Sequence, residues 1–204
     1  ALAITEPGGG SDVAALKTTA VRDGDHYIVN GEKTFITSGM RADYLSVAVR
    51  TDPANRGPGG VSLLLIEGDT PGLSRTELKK MGWWSSDTAH LRFDNCRVPV
   101  GNLIGQEGAG FKAIMHNFNS ERLMMATLAC AYAEACTDEA LAWARERKTF
   151  GASLSERQVI RHKLVDMALR VETARSFVYD LAWRLQQGLG PGGLGAAADP
   201  TPEV

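Results

Sequence analysis

The hydrophobic period of this 204-residue chain changes once, near residue 104, and that change limits the fold more than any other feature. Upstream, apolar residues alternate in short runs, the spacing of strands whose side chains point to opposite faces. The runs are "LKTTAV", "HYIV", "KTFIT", "YLSVAVRT" (44–51), "VSLLLIEG" (61–68), "LSRTEL" and "AHLRFDNCRVPV". Asp23-Gly24 and Asn30-Gly31 separate the first three runs and predict hairpin turns. "DPANRGPGG" reads as a Pro/Gly loop. Many short strands without intervening helices predict an antiparallel β-barrel or sandwich. Downstream of "GNLIGQEGAG", the segment from Phe111 to Arg147 has no proline and is rich in Ala, Leu, Met and Glu. It is apolar round much of its circumference, the pattern of a helix covered on several sides. A second helix is predicted from about Ser155, as its N-cap, to Gln187. Its stripe is Val159, Leu164, Met167, Val171, Ala174 and Val178, and "GLGPGGLGAAADPTPE" cannot continue it. The expected class is α+β with segregated domains: β over 1–104, then long antiparallel helices over 105–204.

Composition excludes few functions and suggests fewer. A hydrophobic fraction of 44% and a charged fraction of 23% are those of an ordinary globular chain. A net charge of -2 gives no argument for nucleic acid. No apolar run reaches the roughly 18 residues of a membrane span, and no secretory signal opens the sequence. Cys96, Cys130 and Cys136 are odd in number and lack CxxC spacing, so they read as reduced thiols in a cytosol-like compartment. His26, His90, His116 and His162 are scattered and read as surface or packing residues, so no metal site is expected.

Four motifs each allow a functional and a structural reading. "ITEPGGGSD" offers three glycines for close backbone approach, with Thr5 and Ser11 for an oxygen-rich ligand. Alternatively it is a plain loop with Asp12 as a helix cap. It is neither a P-loop nor a GxGxxG fingerprint. "TFITSG" places Phe35 and Thr37 on one strand face and Thr34, Ile36 and Ser38 on the other. An aromatic beside a hydroxyl suits a planar heteroaromatic ligand, though an ordinary strand has the same pattern. In "NSERL", Glu121 is either a helix-start acid favoured by the macrodipole or a general base raised by an apolar cleft. "RERKTFG" is either a normal helix end capped by Gly151 or a phosphate clamp of Arg147 with Phe150 as its wall.

Together these motifs closely resemble the acyl-CoA dehydrogenase family. "TEPGGGSD", "YIVNGEKTFITSG", "DTPG", "SSDTAHLRFDNCRVP", "GQEGAGF", "SERL" and "RERKTFG…RQVIRHKLVDM" occur in the family's order and spacing over nearly the whole chain. The resemblance implies a middle β domain followed by part of a four-helix domain. An N-terminal helical domain and the last helices would lie outside this sequence. It implies FAD, lined by the segment from Leu2 to Ser11, with Ile4 and Thr5 at the ring. Gly10 and Ser11 would lie nearer the phosphate, Ser11 also near the acyl-CoA. Phe35-Ile36-Thr37 is similar to the family's "WIT", with Phe in place of Trp and Thr37 near flavin N5. Arg147, Thr149, Phe150 and Gln158 are similar to residues that reach a neighbouring subunit's FAD, which implies a homodimer or homotetramer. Arg157 stands where the family often has His. Asn119, in place of a common Asp, and Arg122 would contact CoA.

Glu121 matches the alternative position of the catalytic base, in an "ERL" setting; other members carry the base on a late loop. The implied reaction is α,β-dehydrogenation of an acyl-CoA, with electron-transfer flavoprotein as acceptor. An acyl-CoA oxidase using O2 shares these motifs, and a scaffold that has lost its cofactor is the reading from another class. The implied compartment is the cytoplasm, or the mitochondrial matrix in a eukaryote.

Overall fold

A computed structural model describes residues 1–189, which divide into two compact units, one from Ala1 to Asn117 and one beginning at Phe118. The first unit is built on an eight-stranded sheet. Its strands are β1 (Leu2–Ala3), β2 (Thr19–Asp23), β3 (His26–Thr37), β4 (Tyr44–Arg50), β5 (Val61–Glu67), β6 (Leu73–Glu77), β7 (Thr88–Pro99) and β8 (Leu103–Ile104). Their order is β6-β7-β3-β2-β4-β5-β8, with β1 paired to β4. All pairings are antiparallel except β1 with β4 and the single contact of β2 with β4. Inward residues of the alternating runs form the core, among them Val29, Leu45, Val47, Leu64, Ile66, Leu91 and Val98. Each such side chain stabilises the fold by about 1.5–3 kcal/mol through burial.

The Asp23-Gly24 hairpin joins β2 to β3 as the dipeptide predicts. Asn30-Gly31 does not turn the chain. It lies inside the twelve-residue β3, where the register against β7 slips between Val29 and Gly31. Gly31 has φ 145°, and a Cβ there would come within 2.6 Å of Thr18 Oγ1. The glycine is therefore needed for the close approach of Thr18, opposite a bulge whose extra residue lies on β7 between Phe93 and Cys96. Asn30 accepts from the Asn95 N–H at 2.8 Å, tying β3 to that bulge. "LKTTAV" is strand only from Thr19; Leu16 is buried after a short 3-10 turn, Val13–Ala15. Asp12 precedes that turn without a side-chain capping bond.

Two long helices, α1 (Gly110–Glu146) and α2 (Gln158–Gln186), follow. Between them β9 (Lys148–Thr149) and β10 (Ala152–Ser153) form a small hairpin. In the second unit the helices run antiparallel: Glu134 of α1 is paired with Arg175 of α2, and Asn119 shares a groove with Leu185. The expected stripe on α2 is half met. Val171 and Val178 are buried, whereas Val159 and Ala174 are exposed. The expectation that α1 is covered on several sides is not met within this chain, since Met124, Met125, Tyr132 and Trp143 are exposed. Ser155 is not the cap of α2 either. It sits in a 3-10 turn, Leu154–Glu156, whose capping box is made by Ser153 and Glu156. A serine before a helical stripe marks the region of a start; reciprocal bonding to the fourth residue decides which serine caps.

Candidate active site

In the first unit, a buried ion pair positions the glycine-rich segment against β3. The Lys33 side chain is 0% exposed, and its ammonium donates to the Glu6 carboxylate at 2.9 Å and to the Ile4 carbonyl at 3.0 Å. The other carboxylate contacts are the backbone N–H groups of Lys17, at 2.7 Å, and Thr18, at 2.8 Å. The Thr34 N–H then donates to the Thr5 carbonyl at 2.8 Å. Ile4-Thr5-Glu6 is thus held along Lys33-Thr34, immediately before Phe35-Ile36-Thr37. Burial would raise the Glu6 carboxyl, but Lys33 and the Thr18 and Lys17 donors together outweigh it and hold the group below its ordinary range. Burial draws the Lys33 ammonium down to about 8, with Glu6 opposing part of that fall.

Sequence reasoning missed both partners. The signal was available: Lys33 shares the parity of Tyr27 and Val29, the core face of β3, and a core-facing lysine needs an acid.

The strand beyond the clamp is bent on purpose. β3 carries one extra residue between Lys33 and Ile36 against Leu91 and Ala89 of β7. Phe35 occupies it with φ 59° and is 69% exposed. A phenylalanine in that region costs about 1–2 kcal/mol, and such strain concentrates at functional positions. Ile36 is buried, and Thr37 is exposed like Phe35. Leu2 and Thr5 are half-buried, Ile4 is buried, and Gly10 and Ser11 are exposed. Glu6 and Gly9 exchange backbone hydrogen bonds, at 3.0 and 3.1 Å, which tightens the loop.

The second unit carries the remaining candidates. Glu121 is not a helix-start acid. α1 begins at Gly110, so Glu121 lies about three turns inside, where the dipole no longer acts. It is exposed. Asn119 and Arg122 line a groove of about 270 Å³ with Leu123, Ala126, Leu181 and Leu185. Arg122 stacks over Phe118, its guanidinium carbon 5.5 Å from the ring centre. Glu121 points away from that groove by about half a turn of helix.

Gly151 does not cap α1, which ends at Glu146. With Phe150 it forms the two-residue turn between β9 and β10, at φ 50° and 78°. Positive φ at both positions is a type I′ turn. Phe150 is 97% exposed at its tip. Arg147 is exposed at the start of this hairpin, and its carbonyl accepts from the Leu154 N–H at 2.9 Å. Thr149 is half-buried, and its carbonyl accepts from Arg157 at 2.6 Å, so Arg157 pins the hairpin beside Gln158.

Residues 1–96 match the middle domain of acyl-CoA dehydrogenases, and residues 108–199 match their C-terminal domain. The chain belongs to the acyl-CoA dehydrogenase family.

A cyclohexane-1-carbonyl-CoA dehydrogenase of Geobacter metallireducens is 42% identical over 91% of this chain and 48% of its own length. The mitochondrial isobutyryl-CoA dehydrogenase of Dictyostelium discoideum is 43% identical over 88% of this chain and 43% of its length. A crystal structure of a probable acyl-CoA dehydrogenase from Mycobacterium abscessus superposes with a TM-score of 0.89 at 52% identity. It is matched over 93% of this chain and 50% of its own. The chain thus spans about half the length of the relatives it matches.

FAD is the family's cofactor. The residues present fit it. Phe35 offers an exposed ring, Thr37 and Ser11 exposed hydroxyls, and the clamp fixes two backbone segments side by side. Among the described residues, no group of three or more His, Cys, Asp or Glu could hold a metal. No helix there is long and apolar enough to cross a membrane.

Proposed function

We propose that the protein carrying this chain catalyses α,β-dehydrogenation of an acyl-CoA thioester to the trans-2-enoyl-CoA and passes the electrons to an electron-transfer flavoprotein. The observation that carries the reading is the strained, exposed Phe35 next to Thr37 on a strand pinned by the Lys33–Glu6 pair. When bound, FAD supplies the acceptor for the β-hydride. The chain's own residues do the rest. The Phe35 ring and the Thr37 hydroxyl hold the flavin ring, with Leu2, Ile4, Thr5 and Ile36 beside it. Gly10 and Ser11 meet the phosphates. Glu121 takes the α-proton of the thioester, and Asn119 and Arg122 hold the CoA. Arg147, Thr149, Phe150 and Gln158 serve the FAD of a second copy, which makes the enzyme a homo-oligomer. Metabolism of fatty or branched acyl-CoA is the expected setting.

Anaerobic titration of the holoprotein with straight and branched acyl-CoAs tests this. Loss of the oxidised flavin absorbance with at least one of them is expected. No bleaching by any member of the panel would sink the reading, and a purified protein without flavin would favour a non-catalytic scaffold. Mixing the reduced enzyme with O2 separates dehydrogenase from oxidase: slow reoxidation is expected. The Glu121→Gln variant should lower flavin reduction by at least about 10²-fold, the lower range of general-base catalysis. Near-normal reduction would place the base elsewhere.

A further inference from the structure

One buried arginine holds the turn Val13–Ala15 to the loop that follows β4. Arg50 ends β4 and is 8% exposed. Its Nε donates to the Leu16 carbonyl at 3.1 Å, and one terminal nitrogen donates to the Ala14 carbonyl at 2.5 Å. The other terminal nitrogen donates to the carbonyls of Asn55 and, at 3.4 Å, of Gly57. All four acceptors are neutral. They satisfy the hydrogen bonds of the guanidinium and leave its charge uncancelled, which is rare for a buried cation.

That charge lines a pocket of about 470 Å³, together with Ala15, Leu16, Lys17, Pro53 and Arg56. Lys17 and Arg56 are exposed. The lining therefore holds three cations and no acid. The acids near it in the chain are committed elsewhere. The Glu6 carboxylate accepts from the N–H groups of Lys17 and Thr18 and is matched by Lys33. Asp52 accepts from the Ala54 N–H at 3.0 Å and the Asn55 N–H at 3.3 Å, inside its own loop. Neither Asp52 nor the exposed Asp12 lines the pocket. Among the described residues, none of the three cations has a carboxylate partner.

The volume is in the range of about 300–1,000 Å³ that holds small molecules. Two guanidinium groups and an ammonium suit a phosphate monoester, which brings close to two negative charges and three acceptor oxygens. Ala15 and Pro53 add an apolar wall for a sugar or a base. Six residues, at most about 20 Å of extended chain, separate Lys17 from Ser11, which the resemblance to acyl-CoA dehydrogenases sets beside the acyl-CoA. The pantetheine arm of CoA can bridge such a distance.

We propose that the Lys17–Arg50–Arg56 pocket binds the 3′-phosphate of the CoA nucleotide. It thereby makes the enzyme selective for thioesters of CoA over those of free or carrier-bound phosphopantetheine, which lack that phosphate. This deepens the proposed function and rests on an acyl-CoA being the substrate.

The test uses the holoenzyme. Calorimetric titration with CoA and with dephospho-CoA, which lacks only the 3′-phosphate, reads the site without turnover. The wild type should bind CoA at least about tenfold more tightly, as hydrogen bonds to a charged group imply. Lys17→Ala/Arg56→Ala should abolish that preference by weakening CoA binding alone, and since both residues are exposed the fold should hold. Arg56→Ala by itself should give a smaller loss of the same kind. Added salt should weaken CoA binding more than dephospho-CoA binding. With an acyl thioester that bleaches the flavin, the double variant should show a KM for the acyl-CoA raised about tenfold, to that for the acyl-dephospho-CoA, with little change in kcat. Equal wild-type affinity for CoA and dephospho-CoA would overturn the proposal, as would a preference that survives in the double variant. Loss of FAD from the double variant on gel filtration would also overturn it, by assigning the pocket to the flavin's diphosphate. Failure of the acyl-CoA reading would show separately, as absence of bleaching by every acyl-CoA while the calorimetric preference for CoA persists.

Discussion

The two units solve opposite problems. The sheet unit buries its apolar residues among themselves and can place even a lysine, Lys33, at 0% exposure because Glu6 is held against it. The helical unit has few buried side chains and presents Met124, Tyr132, Val165, Leu169, Phe177 and Trp183 to solvent. One unit fixes its candidate ligands by internal bonding; the other holds its candidates on exposed faces. The difference teaches that the two sets of candidates depend on different things. The candidate flavin ligands of the sheet unit depend on a buried electrostatic clamp, whereas the helix-borne candidates stand on faces with few buried neighbours.

The largest effect should come from breaking the clamp. Lys33→Met leaves a buried carboxylate without its cation, a change that typically costs about 3–5 kcal/mol. Denaturant unfolding of the protein should show it. The double variant Lys33→Met/Glu6→Gln should recover much of the loss. Equal stability of wild type and Lys33→Met would mean that the clamp does not hold the unit. By contrast, Glu121→Gln changes an exposed helix position, so its stability cost should stay within about 0.5 kcal/mol while flavin reduction collapses. A large stability loss there would erase the contrast between the units.

Acidity sharpens the same comparison. Glu6 is held below its ordinary value of 4.5, so between the two values the unfolded chain binds more protons. Its contribution is complete above 4.5 and is lost as pH falls towards the folded value. Lys33 is lowered from 10.5 to about 8. Across that interval the unfolded chain again holds the extra proton, so this group makes stability rise with pH. Lys33→Met should remove the alkaline rise. A stability profile unaltered between about pH 8 and pH 10.5 would contradict the burial of that ammonium.

Phe150→Gly tests the helical unit's hairpin. It removes a strained φ without touching the core, so the melting temperature should hold or rise, while retention of FAD on gel filtration should fall. Undiminished retention would remove Phe150 from the site. The smallest effect is expected of Thr37→Val, which deletes one hydrogen bond worth about 0.5–1.5 kcal/mol. Calorimetric titration of the apoprotein with FAD should show a loss of up to about tenfold, and no loss would take Thr37 out of contact with the flavin.

Much of this was legible in the residues because local physics decides it. The alternation of β4, β5 and β7 and the Asp23-Gly24 turn follow from period and turn chemistry within a few positions. The motif order brought the family with it, and with the family the candidate ligands. Where local signals were ambiguous, tertiary neighbours chose. Asn30-Gly31 has the chemistry of a hairpin, yet it stays within β3, where Thr18 crowds Gly31 and Asn95, in the β7 bulge opposite, bonds Asn30. Ser153, with Glu156 reaching back to it, caps a 3-10 turn that holds Ser155, and α2 begins only after Arg157. Glu121 reads as a helix-start acid beside the polar "NSER", until the helix is seen to begin at Gly110.

By itself, then, the sequence determined which segments are strands and which are helices, and the residue types offered to a flavin, because these depend on spacing along the chain. Only the tertiary structure decided that Glu6 meets Lys33 across 27 positions and that Phe35 is thrust outward on a bulge. Those are matters of register and of charge burial, set by what lies across the sheet and not by what lies next in the chain.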